Sequence, residues 1–296
     1  MSNAITPRKP YPSDLTDEQG AVLEPEIPPA RQSNKGGRPA TVKLREIVNA
    51  ILYLNRSGCQ WDLLPHDLPA KSTVYEYFSQ GRDDGTWTNI RTALRTQVRV
   101  AAGRAETPSA VCIDSQSVKT TEVGGEARGF DGGKQIKGRK RHLLVDTMGL
   151  RLAVLSTSAA CDDGTMAPQL LAKITPAEFP RLVVIFGDNK YHNHQLEAWR
   201  QKNRPAWRLE VKLREPGAQG FAVRPHRWVV ERTNAWVCRA RRNSKDYERL
   251  PASSEAMVKI TNIHLLLRRL RPVERPAFNY EKPLKTLPES IETVFG

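Results

Sequence analysis

Three acidic residues, Asp114, Asp188 and Glu231, occupy positions at which a carboxylate could bind a metal ion. Asp114 follows the apolar run Ala-Val-Cys-Ile, which predicts a short buried strand that ends at the polar Ser-Gln-Ser. Asp188 follows a second run, Arg-Leu-Val-Val-Ile-Phe, and Glu231 lies within a predicted helix. Carboxylate oxygens are the ligands that Mg²⁺ prefers, so the three residues are candidate ligands. In isolation, each could instead cap a turn or form a surface ion pair.

Four other aspartates are weaker candidates. Asp146 lies in Asp-Thr-Met-Gly, a turn pattern between two predicted strands. Asp162 and Asp163 precede a glycine and predict a loop. Asp131 lies in a segment rich in Gly, Lys and Arg, residues 120–142, which predicts an exposed loop that runs into a strand. These surroundings favour turns and loops over ligand positions.

The elements around the three acidic residues follow the order three strands, helix, strand, helix, strand, helix. This order predicts an α/β domain of ribonuclease H type, with a mixed five-stranded sheet and flanking helices. In such a sheet the first and fourth strands are neighbours, so Asp114 and Asp188 would face one cleft and the later helix could add Glu231. Two Mg²⁺ ions about 3.5 to 4 Å apart can activate an attacking oxygen and stabilise a leaving one in phosphodiester chemistry. Three neighbouring carboxylates would repel one another without a metal, so the predicted site includes bound metal ions.

An all-α region precedes the predicted sheet. Apolar residues recur at helical spacing from Thr41 to Ser57, a second helix is predicted with Ser72 as its N-cap, and a third spans Trp87 to Val100. Three such helices are compatible with a helix-turn-helix type of DNA-binding unit, and also with a small bundle that contacts no DNA. The predicted organisation is an arm and linker (1–40), a helical DNA-binding domain (41–105), a catalytic domain (106–271) and a tail (272–296).

The chain of 296 residues is strongly basic, with 46 Lys and Arg against 32 Asp and Glu and a formal net charge of +14. An excess of this size favours nucleic acid as the partner, although a nonspecifically basic surface is the alternative.

Four separated cysteines form no zinc or disulfide pattern. No signal peptide and no run of about 18 apolar residues is present, which predicts a cytoplasmic protein.

Trp228 and Trp236 are predicted to be core residues. The side chains predicted to contact DNA are Arg38, Lys71, Tyr75, Lys134, Lys137, Arg139, Lys140, Arg227, Arg239, Arg241 and Arg242.

Long motifs are spread over nearly the whole chain. YPSDLTDEQ stands near the start, LREIVNAILYLNRSGCQWDLLPHDLP and STVYEYF lie in the helical region, and IDSQSVKTTEVGGEARGFDGGKQIKGRKRHLLVDTMGL surrounds Asp114. RWVVERTNAW and SKDYERLPASSEAM follow near the end. With these motifs the chain resembles bacterial insertion-sequence transposases of the IS5 family, within the wider DDE group.

The resemblance implies a transposase that binds double-stranded DNA at the terminal inverted repeats of its element, cleaves the element ends with water and joins the 3′-hydroxyls to target DNA. Asp114, Asp188 and Glu231 would bind two Mg²⁺ ions, for which Mn²⁺ could substitute. A homodimer associated with the bacterial nucleoid would pair the two ends. A catalytically silent DNA-binding protein and a nuclease that does not join strands are the rival interpretations.

The chain departs from the family pattern at a few positions. The helix around the glutamate in related transposases carries a tyrosine, an arginine and a lysine at set spacing. Arg227 fits the arginine here, whereas Arg224 and Cys238 stand where the tyrosine and the lysine would be. Asn189 and Lys190 occupy positions that are usually small in relatives. These departures concern which cation contacts the phosphate beside the site and the geometry of the loop after Asp188.

Overall fold

The N-terminal part of the chain is helical. A computed structural model describes residues 8–28, 42–211 and 227–273. Its first four helices are α1 (Asp17–Leu23), α2 (Leu44–Ser57), α3 (Lys71–Asp83) and α4 (Thr86–Ala101). Thr16 caps α1 in a capping box with Gln19. Gly58 ends α2 in the left-handed conformation, at φ +76°, as the sequence predicts.

Helix α3 begins one residue earlier than predicted. Its first residue is Lys71, and the N-cap position belongs to Ala70, which makes no side-chain hydrogen bond. The prediction that Ser72 caps this helix is therefore wrong. The apolar face, with Val74 and Phe78 fully buried, holds the helix in place without a side-chain cap.

The long helix α9 (Pro251–Leu270) completes the core of the helical region. Its residues Met257, Ile260 and Leu267 belong to one buried cluster with Ile51 of α2 and Leu94 of α4. This helix follows the whole sheet in sequence. The helical core therefore closes only when the last part of the chain packs against the first.

Six strands form one mixed sheet in the described part of the chain. They are β1 (Ala110–Lys119), β2 (Gly129–Asp131), β3 (Ile136–Asp146), β4 (Arg151–Ser158), β5 (Val184–Gly187) and β6 (Arg208–Val211). The main order is β4-β3-β1-β5-β6, and the short β2, which was not predicted, pairs with the beginning of β3. β5 is parallel to β1 and β6, whereas β3 is antiparallel to β1 and β4. This arrangement confirms the predicted ribonuclease H-like α/β fold.

Helices cover both faces of the sheet. Val111 and Ile113 of β1 belong to a buried cluster that includes residues of α5 (Asp163–Leu171) and α6 (His194–Asn203), and we call this side the α5 face. Cys112 belongs to a cluster with residues of α7 (Arg227–Cys238) and α9, and we call this side the α7 face. The short α8 (Arg241–Ser244) follows α7. Because side chains alternate along a strand, odd positions of this part of β1 face α5 and even positions face α7.

Polar segments enter the sheet farther than predicted. β1 does not end at Asp114 but continues to Lys119, and residues 136–142, predicted as an exposed loop, form the first half of β3. Ser115 and Lys140 in these segments are buried and both contact Asp163. Asp163 itself begins α5, where a loop was predicted. Buried polar partners replace the apolar contacts that strand prediction relies on.

The turn between β3 and β4 matches its prediction. Asp146 Oδ1 accepts hydrogen bonds from the backbone N–H groups of Met148 and Leu150, and Gly149 has φ +79°. Asp146 also forms a buried ion pair with Arg99 of α4.

Within the described ranges, no helix is both long and apolar enough to span a bilayer.

Candidate active site

The parallel pairing of β1 with β5 brings Asp114 and Asp188 to neighbouring positions. The register pairs Cys112 with Phe186, and the two aspartates each lie two residues farther along the chain. Cys112 and Phe186 belong to the α7 face, so alternation places both aspartates on that face as well. Asp188 lies just past β5, where its backbone is still extended at φ −88° and ψ −178°. Both residues are half-buried.

Local backbone donors hold the two carboxylates. The backbone N–H of Ser115 donates to Asp114 Oδ1 over 2.8 Å. The backbone N–H of Lys190 donates to Asp188 Oδ1 over 3.0 Å, and Asp188 thereby caps the short 3₁₀ helix Asn189–Tyr191. Asp114 is therefore oriented by the backbone of the next residue, and Asp188 by the backbone two residues later.

The buried Tyr191 is affected by the charges of both aspartates. Burial raises the pKa of its phenol well above the usual value, and the negative charges of Asp114, Asp163 and Asp188 raise it further. Its hydroxyl oxygen is buried and has no hydrogen-bond partner among the described residues. The phenol thus stays protonated next to a region of concentrated negative charge.

Helix α7, which carries Glu231, covers the face to which Asp114 belongs. The side-chain amide of Gln116, two residues after Asp114, donates to the thiol of Cys238 over 3.4 Å. Glu231 precedes Cys238 by seven residues, or about two turns, so both lie on one side of the helix. The side chain of Glu231 is therefore exposed but belongs to the side of α7 that carries Cys238, the residue that contacts β1.

The oxygen atoms of the α7 face suit a hard divalent cation. In addition to the two carboxylates, the amide oxygens of Gln116 on β1 and of Asn234 on α7 are buried without a hydrogen-bond partner among the described residues. Mg²⁺ is typically bound by one or two carboxylates together with water and substrate phosphates, and the two aspartates fit that requirement. In the ranges described, no three His, Cys, Asp or Glu side chains form a metal-binding group by themselves.

A second acidic group lies on the α5 face and is neutralised by lysines. Asp163 Oδ1 accepts a hydrogen bond from Ser115 Oγ at 2.8 Å and lies 3.1 Å from Lys140 Nζ. Asp163 Oδ2 lies 3.0 Å from Lys190 Nζ. Burial raises the pKa of Asp163, but hydrogen bonds from these three residues outweigh burial and lower the pKa below its usual value.

Asp131 belongs to the same buried group. It lies 3.6 Å from Lys140 Nζ and accepts a hydrogen bond from Ser117 Oγ at 2.5 Å. The backbone N–H groups of Gly133 and Lys134 also donate to it. Burial raises the pKa of Asp131, but these donors and the lysine charges lower it to about 2. Asp131 and Asp163 are thus ionised and occupied by partners within the chain.

The chain matches known transposase families. Residues 105–266 match the family described as "Transposase DDE domain". The match covers more than half of the chain and includes Asp114, Asp188 and Glu231. The chain belongs to the DDE transposase family. The helical region of this transposase, residues 15–91, matches a second family described as "Putative transposase of IS4/5 family".

One relative is also described as a transposase. This transposase is 30% identical over 129 residues to a putative transposase for insertion sequence element IS402 from Burkholderia cepacia. The aligned region is 42% of this chain and 60% of the relative. The chain thus spans less than two thirds of the relative's length, and the likeness extends the family assignment without transferring an activity.

Several basic residues that were predicted to contact DNA lie on the surface of the transposase. Lys71 pairs with Asp62, and the exposed Tyr75 packs edge-on against Trp61. Lys134 is exposed, although its ammonium group donates to a backbone carbonyl in β1. The predicted residues that are exposed are Lys71, Tyr75, Lys134, Lys137, Arg239 and Arg241. Arg38 and the side chain of Arg227 lie outside the described residues.

Three other basic residues that were predicted to contact DNA are buried, so a phosphate cannot reach their charged groups, and the prediction is wrong for them. Arg139 is fully buried, lies 3.2 Å from Asp246 and donates to three backbone carbonyl groups. Lys140 is held by the two buried aspartates described above. Arg242 pairs with Glu248 at 2.7 Å and is also buried. The positive charges of these three residues pair with acidic side chains of the chain itself and not with DNA phosphates.

Two tryptophans on α7 differ from their prediction as core residues. The Trp228 side chain is 46% exposed, and the Arg232 guanidinium lies 4.1 Å from the centre of its ring. Arg232 also stacks on Trp236, at 4.7 Å, and Arg269 of α9 stacks on the same ring at 4.6 Å. These rings therefore form a partly exposed stack with two arginines, which packs α7 against α9.

Proposed function

We propose that this transposase is a metal-dependent enzyme that cuts DNA at the ends of an insertion sequence and joins the freed 3′-hydroxyls to target DNA. The observation that carries the proposal is the pairing of β1 with β5, which makes Asp114 and Asp188 neighbours. Both lie on the face that the helix of Glu231 covers. Membership of the DDE transposase family supports the same activity.

Asp114 and Asp188 would hold two Mg²⁺ ions, for which Mn²⁺ can substitute, and Glu231, on the side of α7 that carries Cys238, would complete the set of ligands. Bound there, the ions would activate an attacking oxygen and stabilise the charge on the phosphate. Gln116 ties α7 to β1 through Cys238 and so limits the distance between Glu231 and Asp114. The buried phenol of Tyr191 is neutral and adds no further negative charge.

The helical region (41–105) would bind the terminal inverted repeats, and the sheet region (106–271) would carry the chemistry. Lys134 and Lys137 on one side, and Arg239 and Arg241 after α7, would contact the phosphate backbone. Two ends of one element must be paired, so a homodimer is the expected form in the DNA complex. Such a protein would act in the bacterial cytoplasm, on the nucleoid.

The test is cleavage and joining of a labelled duplex that carries the terminal repeat of the element, with Mg²⁺ or Mn²⁺. Asp114→Asn, Asp188→Asn and Glu231→Gln should each lower cleavage by more than the roughly 100-fold cost of losing an outer-shell partner of a metal. DNA binding in the presence of a chelator should be unchanged. Joined strands among the products distinguish a transposase from a nuclease.

The matched control is Asp162→Asn. Asp162 is an exposed aspartate that caps α5 through the backbone N–H of Thr165, and asparagine is an equally good cap. This variant should cleave as the unchanged protein does. Tight, salt-sensitive DNA binding with no cleavage by any form of the protein would instead support a silent DNA-binding role.

A further inference from the structure

Asp163 contacts a residue beside each of the two proposed metal ligands. Its Oδ1 accepts a hydrogen bond from Ser115 Oγ at 2.8 Å, and its Oδ2 accepts one from Lys190 Nζ at 3.0 Å. The backbone N–H of Ser115 donates to Asp114, and the backbone N–H of Lys190 donates to Asp188. One buried carboxylate is therefore linked to both aspartates by short hydrogen-bonded paths.

We propose that Asp163 is a positioning residue, which sets the separation of Asp114 and Asp188 from the opposite face of the sheet. The inference rests on the proposed function, because it concerns the same two aspartates. Asp163 would touch neither metal nor DNA. It would act through Ser115 on one strand and through Lys190 in the loop after the other.

The surroundings of Asp163 make it a rigid anchor. Its side chain is 3% exposed, and Lys140 Nζ lies 3.1 Å from the same oxygen that accepts the Ser115 hydrogen bond. Lys140 is in turn held by the carbonyl oxygen of Cys161 at 2.7 Å and by Asp131. Charged hydrogen bonds are stronger in a buried site than in water, so a carboxylate fixed this way resists displacement.

An independent feature brings the loop after β5 close to Asp163. Gly164 follows Asp163 in the first turn of α5, and a Cβ atom at Gly164 would lie 2.6 Å from the carbonyl oxygen of Lys190 and 3.2 Å from Asn193 Nδ2. Only a residue without a side chain permits this approach. The backbone of α5 and that of the loop are therefore packed at the distance that the Asp163 to Lys190 contact requires.

The first test measures amide hydrogen exchange in the metal-free protein, where no activity is involved. In Asp163→Asn and Lys190→Met, the amides of residues 188–191 should exchange about tenfold faster or more, because a charged hydrogen bond that holds the loop is lost. Lys190→Arg keeps the charge and should restore the rate. Asp162→Asn, the neighbouring exposed aspartate, should have no effect.

The second test measures Mn²⁺ binding to the DNA-free protein by calorimetry. Loss of a residue that orients metal ligands typically weakens binding about 10- to 100-fold, and this range is expected for Asp163→Asn and for Lys190→Met. Lys190→Arg should bind nearly as the unchanged protein does. A purely structural role would lower the unfolding midpoint without this recovery by the arginine variant.

The proposed function and the positioning role of Asp163 are contradicted by different results. If Asp114→Asn and Asp188→Asn leave Mn²⁺ binding and cleavage unchanged, the proposed function is wrong. If those two variants abolish both while Asp163→Asn and Lys190→Met behave as the unchanged protein, the positioning role alone is wrong. Should Asp163→Asn fail to fold, the half-exposed Lys190 still decides the matter, because its replacement removes one contact of Asp163 at the surface.

Discussion

Strand β1 has acidic groups on both of its faces, and the two groups are built differently. On the α5 face, Asp131 and Asp163 are buried and share the ammonium group of Lys140. On the α7 face, Asp114 and Asp188 are half-buried neighbours held by backbone N–H groups. Two like charges at neighbouring positions destabilise each other unless a cation is bound. The buried carboxylates of the α5 face are neutralised by lysines, so burial alone does not identify a candidate metal site.

The largest effect is expected from removing the shared cation of the α5 face. Lys140→Met leaves Asp131 and Asp163 without it, and breaking a buried ion pair typically costs about 3 to 5 kcal/mol. Urea unfolding should show a lower midpoint with an unchanged slope. Lys137→Met, on an exposed position of the same strand, should stay within about 0.5 kcal/mol of the unchanged protein. Equal stability of the two variants would contradict the distinction between the faces.

A smaller effect is expected where α5 meets the loop of Asp188. Gly164→Ala introduces a Cβ atom 2.6 Å from the carbonyl oxygen of Lys190, so the loop must move. Overpacking of this kind costs about 1 to 3 kcal/mol, and Mn²⁺ binding should weaken as well. Gly132→Ala is the control, because no atom lies within 4 Å of its added Cβ. A Gly164→Ala protein with normal stability and Mn²⁺ affinity would show that the close approach is unimportant.

Acid should weaken the α5 face in a defined pH range. The pKa of Asp131 is about 2 in the folded protein, below the value near 3.9 of an unfolded aspartate. Its stabilising contribution is therefore complete above about pH 4 and is lost as the pH falls toward 2, with a size of roughly 2 kcal/mol. Asp131→Asn should be less stable at pH 6 and should lose less stability between pH 4 and 2. Parallel curves for the two proteins would contradict the assignment.

The smallest effect is expected from single basic residues on the surface near α7. Arg239→Gln and Arg241→Gln should each reduce the slope of log affinity for DNA against log salt concentration by about 1. Stability should change by less than about 0.5 kcal/mol. Arg181, an exposed arginine before β5 and so at the far end of that strand from Asp188, provides the control. A reduced slope in Arg181→Gln as well would show only a general charge effect.

Much of the fold could be predicted because apolar runs and local turn chemistry determine it. The run before Asp114, the turn at Asp146 and the C-cap at Gly58 all depend on residues within a few positions of one another. The second half of β1 could not be predicted in this way, because Ser115 finds its partner Asp163 at a distance of 48 residues in the sequence. A pattern of apolar residues contains no information about such a partner.

The basic motif Lys-Gly-Arg-Lys-Arg-His was misjudged for the same reason. Its charges predict an exposed surface, yet Arg139 is fully buried beside Asp246, more than 100 residues later in the chain. The proximity of Asp114 and Asp188 was easier to predict, because strand order alone implies it. The role of the two aspartates and of Glu231 as metal ligands stays a prediction.

Helix α9 has a consequence for how the protein unfolds. Met257 and Ile260 belong to the core of the helical region, whereas Val258 belongs to the core of the α7 face beside Cys112. Two cores that share one helix lose their packing together when that helix detaches. The helical region and the sheet should therefore melt in a single cooperative transition, and a chain cut before Pro251 would leave both cores open to water.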